Sequence, residues 1–406
     1  MAEHLEHLRA SLDQVTGYIY PNEIELQWGL LIVVYPYVTG LVAGAFILAS
    51  LERVFKVKEV EPTYRLALLT ALAFLLVAPM PLLAHLGHPE RSFEIFLTPH
   101  YKSAMAMFGF IYAWYLMVVL LLEIWFEYRA DLVRWSRTAR GPRKILLWIL
   151  SLGSRSLAPE AIEFDRKAVY TITVIGIPSA FLLHGYVGFI FGSVKANPWW
   201  SSVLIPIVFL FSAIVSGIAL VLLIYYLSTL VRRKPPDMGC FDKLASFLFY
   251  ALILDLSLEL LDFIHRLYES EESIKILSEL IFSKLFISLT IVQILLGTIL
   301  PLALLALARW SSITAELRRS IYFIVALLVQ VGIFSTRWNV VIGGQLFSKS
   351  LRGLTVFKME LGGIEGLFTA IGFLVLPFVI LYLLVKLLPP WEEARSDRTA
   401  EPATGD

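Results

Sequence analysis

Long apolar runs constrain this chain more than any other feature. Nine stretches are long and apolar enough to cross a bilayer as helices, a task that takes roughly 20 residues. They cover residues 28–52, 64–87, 103–127, 167–194, 200–231, 241–267, 282–309, 316–336 and 361–388. Inside lipid only the chain itself can satisfy backbone N–H and C=O groups, so each run is read as a helix. With 58% hydrophobic residues overall, the chain is expected to be an all-α integral membrane protein of eight to ten spans, counted here as nine.

Roughly two-thirds of the 34 lysines and arginines fall on one side of the alternating loops. Positive charge accumulates on the cytoplasmic side. The bias therefore predicts a plasma-membrane protein with its N-terminus outside and its C-terminus inside. The longest inner loop, 128–166, is basic and carries an apolar piece at 143–150, too short to span and expected on the inner surface. The polar segment 1–27 lacks a basic stretch followed by an apolar core, so no cleavable signal peptide is expected. The tail 389–406 ends in polar and charged residues and is expected to be disordered and solvated.

One span carries acids where lipid disfavours them. Asp255, Glu259, Asp262 and Arg266 recur at helical spacing and share one stripe of the helix at 241–267. An acid near mid-membrane costs at least about 2.5–3.5 kcal/mol on insertion scales. Three on one stripe should face a polar interior, as part of a proton or substrate path or of an interhelical ion-pair network.

Other polar residues collect at one end of the predicted bundle. The second span ends in His85-Leu86-Gly87-His88-Pro89-Glu90-Arg91, and His100 follows in the same outer loop. His184 lies six residues after Pro178, which frees a carbonyl and favours a kink. The eighth span ends at Arg337-Trp338-Asn339, and Glu360 and Glu365 open the ninth. Taken singly, each has a plain reading as packing, snorkelling or helix-end charge. Their convergence with the acid stripe favours function. Cys240 is the single cysteine, which argues against an iron–sulfur cluster or a cysteine zinc site in this chain. The net charge of +1 and the lack of basic–aromatic runs give no sign of nucleic-acid binding.

Thr39-Gly40-Leu41-Val42-Ala43-Gly44-Ala45 in the first span parallels Ser212-Ala213-Ile214-Val215-Ser216-Gly217-Ile218 in the fifth. Small residues at this spacing permit close helix packing in lipid. A parallel repeat is therefore expected. It makes 28–194 and 195–336 two four-helix bundles, followed by an outer loop at 337–360 and a final helix at 361–388.

A two-electron, two-proton carrier such as a quinone suits this polar set. Its head group needs partners at both carbonyls, for which His184 and Arg337 are candidates. Quinol oxidation releases protons, and Asp255, Glu259 and Asp262 are the candidate acceptors. Two other classes compete. A proton or ion transporter would use the acid stripe without redox chemistry. A b-type cytochrome anchor would ligate haem through a pair among His85, His184 and His265.

Three stretches carry a family resemblance: HLGHPERSFEIFLTPHYKSAMAMFGF at 85–110, LLHGYVGFIFGSVKANPWWSSVLIPIVFLFSAIVSG at 182–217 and RWNVVIGGQLFSKSLRG at 337–353. The chain resembles the NrfD/polysulfide-reductase membrane-subunit family. It is most similar to the long branch that includes hydrogenase, alternative complex III and dissimilatory sulfite-reduction membrane subunits. The resemblance implies a subunit of a quinol-dependent respiratory oxidoreductase that binds menaquinone or another quinone. It implies no haem or iron–sulfur cluster in the chain itself. It also implies a ferredoxin-like iron–sulfur partner on the outer face, with further catalytic or cytochrome subunits in some complexes, and a link to sulfur metabolism or proton translocation in some relatives. Within the matched motifs, His88 and Arg91, then His184, then Arg337 and Asn339, are the positions carried over as cofactor-binding.

Overall fold

The computed structural model describes residues 12–100, 102–235, 237–269 and 273–391. Its described elements, in order, are β1 (Thr16–Tyr18), α1 (Leu30–Arg53), α2 (Tyr64–Val77), α3 (Met80–His85), the single turn α4 (Glu94–Leu97), α5 (Ala104–Trp114), α6 (Leu121–Thr138), α7 (Pro142–Leu150), α8 (Pro159–Gly192), α9 (Ile205–Val231) and α10 (Met238–Glu269). They continue with α11 (Ile274–Glu279), α12 (Leu300–Trp310), α13 (Ala315–Val341), β2 (Arg352–Leu354) and α14 (Leu367–Leu387). Short 3₁₀ turns join several of them. Three segments are π-helical: Tyr115–Leu120 between α5 and α6, and Leu280–Lys284 and Phe286–Ile299 between α11 and α12. Among the described residues, nine helical stretches are long and apolar enough to cross a membrane, as the hydropathy predicts.

The helices differ in how far they are enclosed. The most apolar window of α1 is 89% buried and that of α9 is 78%, against 17% for α14. α1 and α9 therefore form the centre, and α14 presents most of its apolar surface outward, where lipid would cover it. Their contact depends on small residues. A Cβ on Gly44 would lie 2.0 Å from the Ala213 carbonyl oxygen, and one on Gly217 would lie 2.2 Å from the Gly44 carbonyl carbon. The two backbones touch at the paired small-residue motifs.

Several boundaries differ from the sequence reading. The second span breaks at Ala78-Pro79, because Pro79 and Pro81 remove amide donors. The predicted inner loop 128–166 is mostly helical: α6 runs to Thr138, α7 is the expected surface helix, and α8 starts at Pro159. The final helix begins at Leu367, not 361, after a glycine-rich turn in which Gly363 has φ of +87°. The eighth span does not end at residue 336. α13 continues to Val341, so Arg337 and Asn339 lie inside a helix and are buried. β1 and β2 pair antiparallel and tie the segment before α1 to the one after α13. The tail from residue 392 and the first eleven residues lie outside the described residues.

Candidate functional site

The centre of the site is Arg337, fully buried where α13 packs on α9 and meets His184 of α8. Its Nη2 donates to Ser212 Oγ at 2.7 Å, to the Phe209 carbonyl oxygen at 3.4 Å and to His184 Nε2 at 3.2 Å. The guanidinium also lies 4.1 Å from the centroid of the Phe209 ring. An arginine has no lone pair to offer, so His184 Nε2 must accept and its proton sits on Nδ1. Gly40 of α1 makes room for that ring: a Cβ there would come within 3.1 Å of His184 Cε1. After these contacts, Arg337 Nε and Nη1 and His184 Nδ1 remain buried donors with no protein partner. Unsatisfied buried donors are costly, and so many around one side chain mark a place for a polar ligand or water.

The acid stripe of α10 meets this centre from the other side. Asp255 is buried, with Oδ1 lacking a partner, and Asp255 and Glu259 both lie within electrostatic range of Arg337. Glu259 Oε1 accepts from Gln293 Nε2 at 3.1 Å, and Gln293 Oε1 accepts from Asn339 Nδ2 at 2.8 Å. Ser288 Oγ donates to Asn339 Oδ1 at 2.6 Å. Asp262 is held differently. It accepts from the Ser202 hydroxyl and pairs with Arg266, whose Nε lies 2.7 Å from Oδ2. Ile253, Leu254, Leu260, Leu261 and Ile264 of the same helix are exposed. The stripe thus faces protein while the apolar face turns outward, as the spacing required.

Two tryptophans brace the network. Trp199 Nε1 donates to the Asn339 carbonyl at 2.8 Å and Trp200 Nε1 to the Val340 carbonyl at 2.6 Å. Between Trp199 and α10 lies a cleft of about 70 Å³, lined by Trp199, Glu259, Asp262, Arg266, Gln293 and Asn339.

The predicted residues therefore divide. His184, Arg337, Asn339, Asp255, Glu259 and Asp262 converge. His88 and Arg91 do not join them. Both are exposed, His88 beside Glu90 at 3.0 Å and Arg91 in a two-bond pair with Glu94. Those bonds hold the Glu94 carboxyl below the ordinary glutamate range. His85 pairs instead with Glu365 at 2.5 Å, linking the second span to the start of α14. Ser202, Ser212, Ser288 and Gln293 belong to the network although nothing in the sequence reading assigned them a site role. Gln293 had a usable signal, since it is a lone carboxamide in the apolar run 282–309.

Fold and centre together define a polytopic helical membrane protein with a buried arginine–histidine pair facing a carboxylate stripe. The sequence profile described as "Polysulphide reductase, NrfD" matches residues 21–349. The chain belongs to the NrfD polysulphide reductase family. It is similar to a selenate reductase subunit of Mesobacillus selenatarsenatis, at 32% identity over 78% of this chain and 73% of that protein. It is also similar to a putative dimethyl sulfoxide reductase membrane subunit of Halobacterium salinarum, at 30% identity over 54% of this chain and 48% of that one. Protein NrfD of Escherichia coli is 26% identical over 49% of this chain and 59% of its own length.

Proposed function

We propose that the chain is the quinone- or quinol-binding membrane subunit of a multi-subunit reductase complex, exchanging electrons with an iron–sulfur partner. Arg337 carries the reading: a fully buried guanidinium with two unpartnered nitrogens, beside a histidine whose Nδ1 is also unpartnered. These are the donors a quinone carbonyl requires. Two of the relatives are named as reductase subunits, one of them as a membrane subunit, which supports membership of a reductase complex. A bound quinone would supply two-electron, two-proton chemistry.

The protein's own groups then divide the work. Arg337 and His184 bind and orient the head group. Asp255 and Glu259 take up protons near it, Asp255 at its free oxygen, while the Gln293–Asn339–Ser288 chain fixes the position of the Glu259 carboxyl. Asp262, engaged by Arg266 and Ser202, positions the wall of the cleft. At about 70 Å³ the cleft has room for a few waters and not for a ring.

We place this end of the bundle on the outer face, by the positive-charge bias of the opposite loops. The two-bundle repeat also fits. The motif segments of α1 and α9 meet, π-helical segments fall in the third span of each half, and His184 and Arg337 come from the fourth.

The test is binding of a quinone analogue to the purified complex, read by quenching of tryptophan fluorescence, with an optical spectrum of the separated chain. Saturable binding and no haem bands are expected. Haem bands would favour the cytochrome reading. Proton movement without analogue binding would favour the transporter reading. A second comparison separates the acids. Asp255→Asn should slow quinol turnover by about tenfold or more with the unfolding midpoint unchanged. Asp262→Asn should lower the midpoint, because it removes the carboxylate charge from the buried Asp262–Arg266 ion pair. Equal behaviour of the two would refute the division.

A further inference from the structure

A second polar centre lies at the far end of α1. A cleft of about 760 Å³ is lined there by Arg53, Tyr64, Arg65, Glu127 and Arg232, among others. Behind it, Glu123 is fully buried on α6, one turn beyond the π-helical segment Tyr115–Leu120. Such segments cluster at functional positions. Glu123 Oε1 accepts from the Tyr64 hydroxyl at 3.1 Å and from Thr173 Oγ1 at 2.8 Å. Glu123 Oε2 is buried with no hydrogen-bond partner, and so is the Tyr115 hydroxyl close by.

The neighbouring cations are held by Glu127 and Asp131, and Arg53 also bonds the Tyr64 side chain. Arg53 Nη2 bonds Glu127 at 2.7 Å and stacks on the Tyr64 ring, and Arg65 bonds Glu127 at 2.8 Å and Asp131 at 2.9 Å. The titratable and charged groups around Glu123 are thus Arg53 on α1, Tyr64 on α2, Tyr115 on the π-helical segment and Glu127 on α6. Thr173, from α8, is uncharged. Tyr64 alone both lines the cleft and bonds Glu123.

We propose that Glu123 is a proton-binding site, filled from this cleft through the Tyr64 hydroxyl. A proton from cleft water is taken up by the phenol oxygen, which passes its own hydrogen to Glu123 Oε1. The phenol ends neutral and the carboxylate becomes a carboxylic acid. A carboxyl rotation then carries the hydrogen to Oε2, the oxygen with no donor. No redox partner is needed. The proposal is independent of quinone binding at Arg337.

The test is infrared difference spectroscopy of the intact complex on transfer from H2O to D2O. Glu123→Gln should remove one carbonyl band of a protonated carboxylic acid. Tyr64→Phe should keep that band but slow its isotope shift by about tenfold or more. No band lost in Glu123→Gln would overturn the proton site. An unslowed shift in Tyr64→Phe would overturn the route. If Glu123→Gln fails to assemble, the unaltered complex answers the first question. A hydrophobic carbodiimide, which reacts with protonated carboxyls, should leave an adduct on Glu123 in peptide mass spectra, and an unmodified Glu123 would count against the proposal.

Discussion

Arg337→Gln should lower quinol turnover by about a hundredfold or more, the usual consequence of losing a preorganised charged donor. The fold should survive. Arg337 has no carboxylate in direct contact and is held by a serine, a carbonyl, a histidine and the Phe209 ring. Burying a cation on such terms is costly, so a shorter neutral amide should leave stability equal or higher. That separation of activity from stability distinguishes a ligand-binding arginine from a structural one. Arg352→Gln is the control, since Arg352 sits in β2 and is exposed. Turnover assays and unfolding midpoints on the assembled complex decide it. Normal turnover in Arg337→Gln would remove the centre of the proposed site, and a joint loss of turnover and assembly would assign Arg337 to structure.

Gly44→Val should prevent assembly altogether. The added Cβ would lie 2.0 Å from the Ala213 carbonyl oxygen, and backbone atoms cannot move aside as a side-chain tip can. α1 and α9 would have to separate. Every contact made across them would then be disturbed, including the seat of His184 against Gly40 and the Ser212–Arg337 bond. Gly372→Ala is the matched control. It lies in α14 with nothing within 4 Å of the added carbon, and should be neutral or stabilising by up to about 1 kcal/mol. Membrane abundance of the chain and its thermal midpoint in detergent are the measurements. Equal abundance of the two variants would show that the helix contact tolerates separation.

The acid stripe shows how much of the site could be read before folding. Asp255, Glu259 and Asp262 share a face because helical periodicity is local, and the cost of charge in lipid required that face to point inward. The chain alone did not separate their roles. Asp262 is held by Ser202 and Arg266, while Asp255 keeps a free oxygen, and that difference depends on what α10 packs against. His88 and Arg91 illustrate the opposite case. They stand in the same matched stretch as His85, yet the break at Ala78-Pro79 and the turns after α3 leave them exposed.

What the sequence by itself determined is the part that depends on near neighbours and on solvent. The nine apolar runs, the helical class, the acid stripe, the surface helix α7 and the small-residue motifs in α1 and α9 all follow from periodicity and from the cost of exposing polar groups to lipid. Tertiary structure decided the rest. It carried α13 past residue 336, placed Arg337 and Asn339 in its last turns, and brought Arg337 against His184 and Ser212. It also joined Gln293 to Glu259 and set Tyr64 between Glu123 and an open cleft. Each of these contacts links helices distant in the chain, so it depends on which helix faces close on one another. Close packing sets that choice, and here two glycines allow it where α1 and α9 touch.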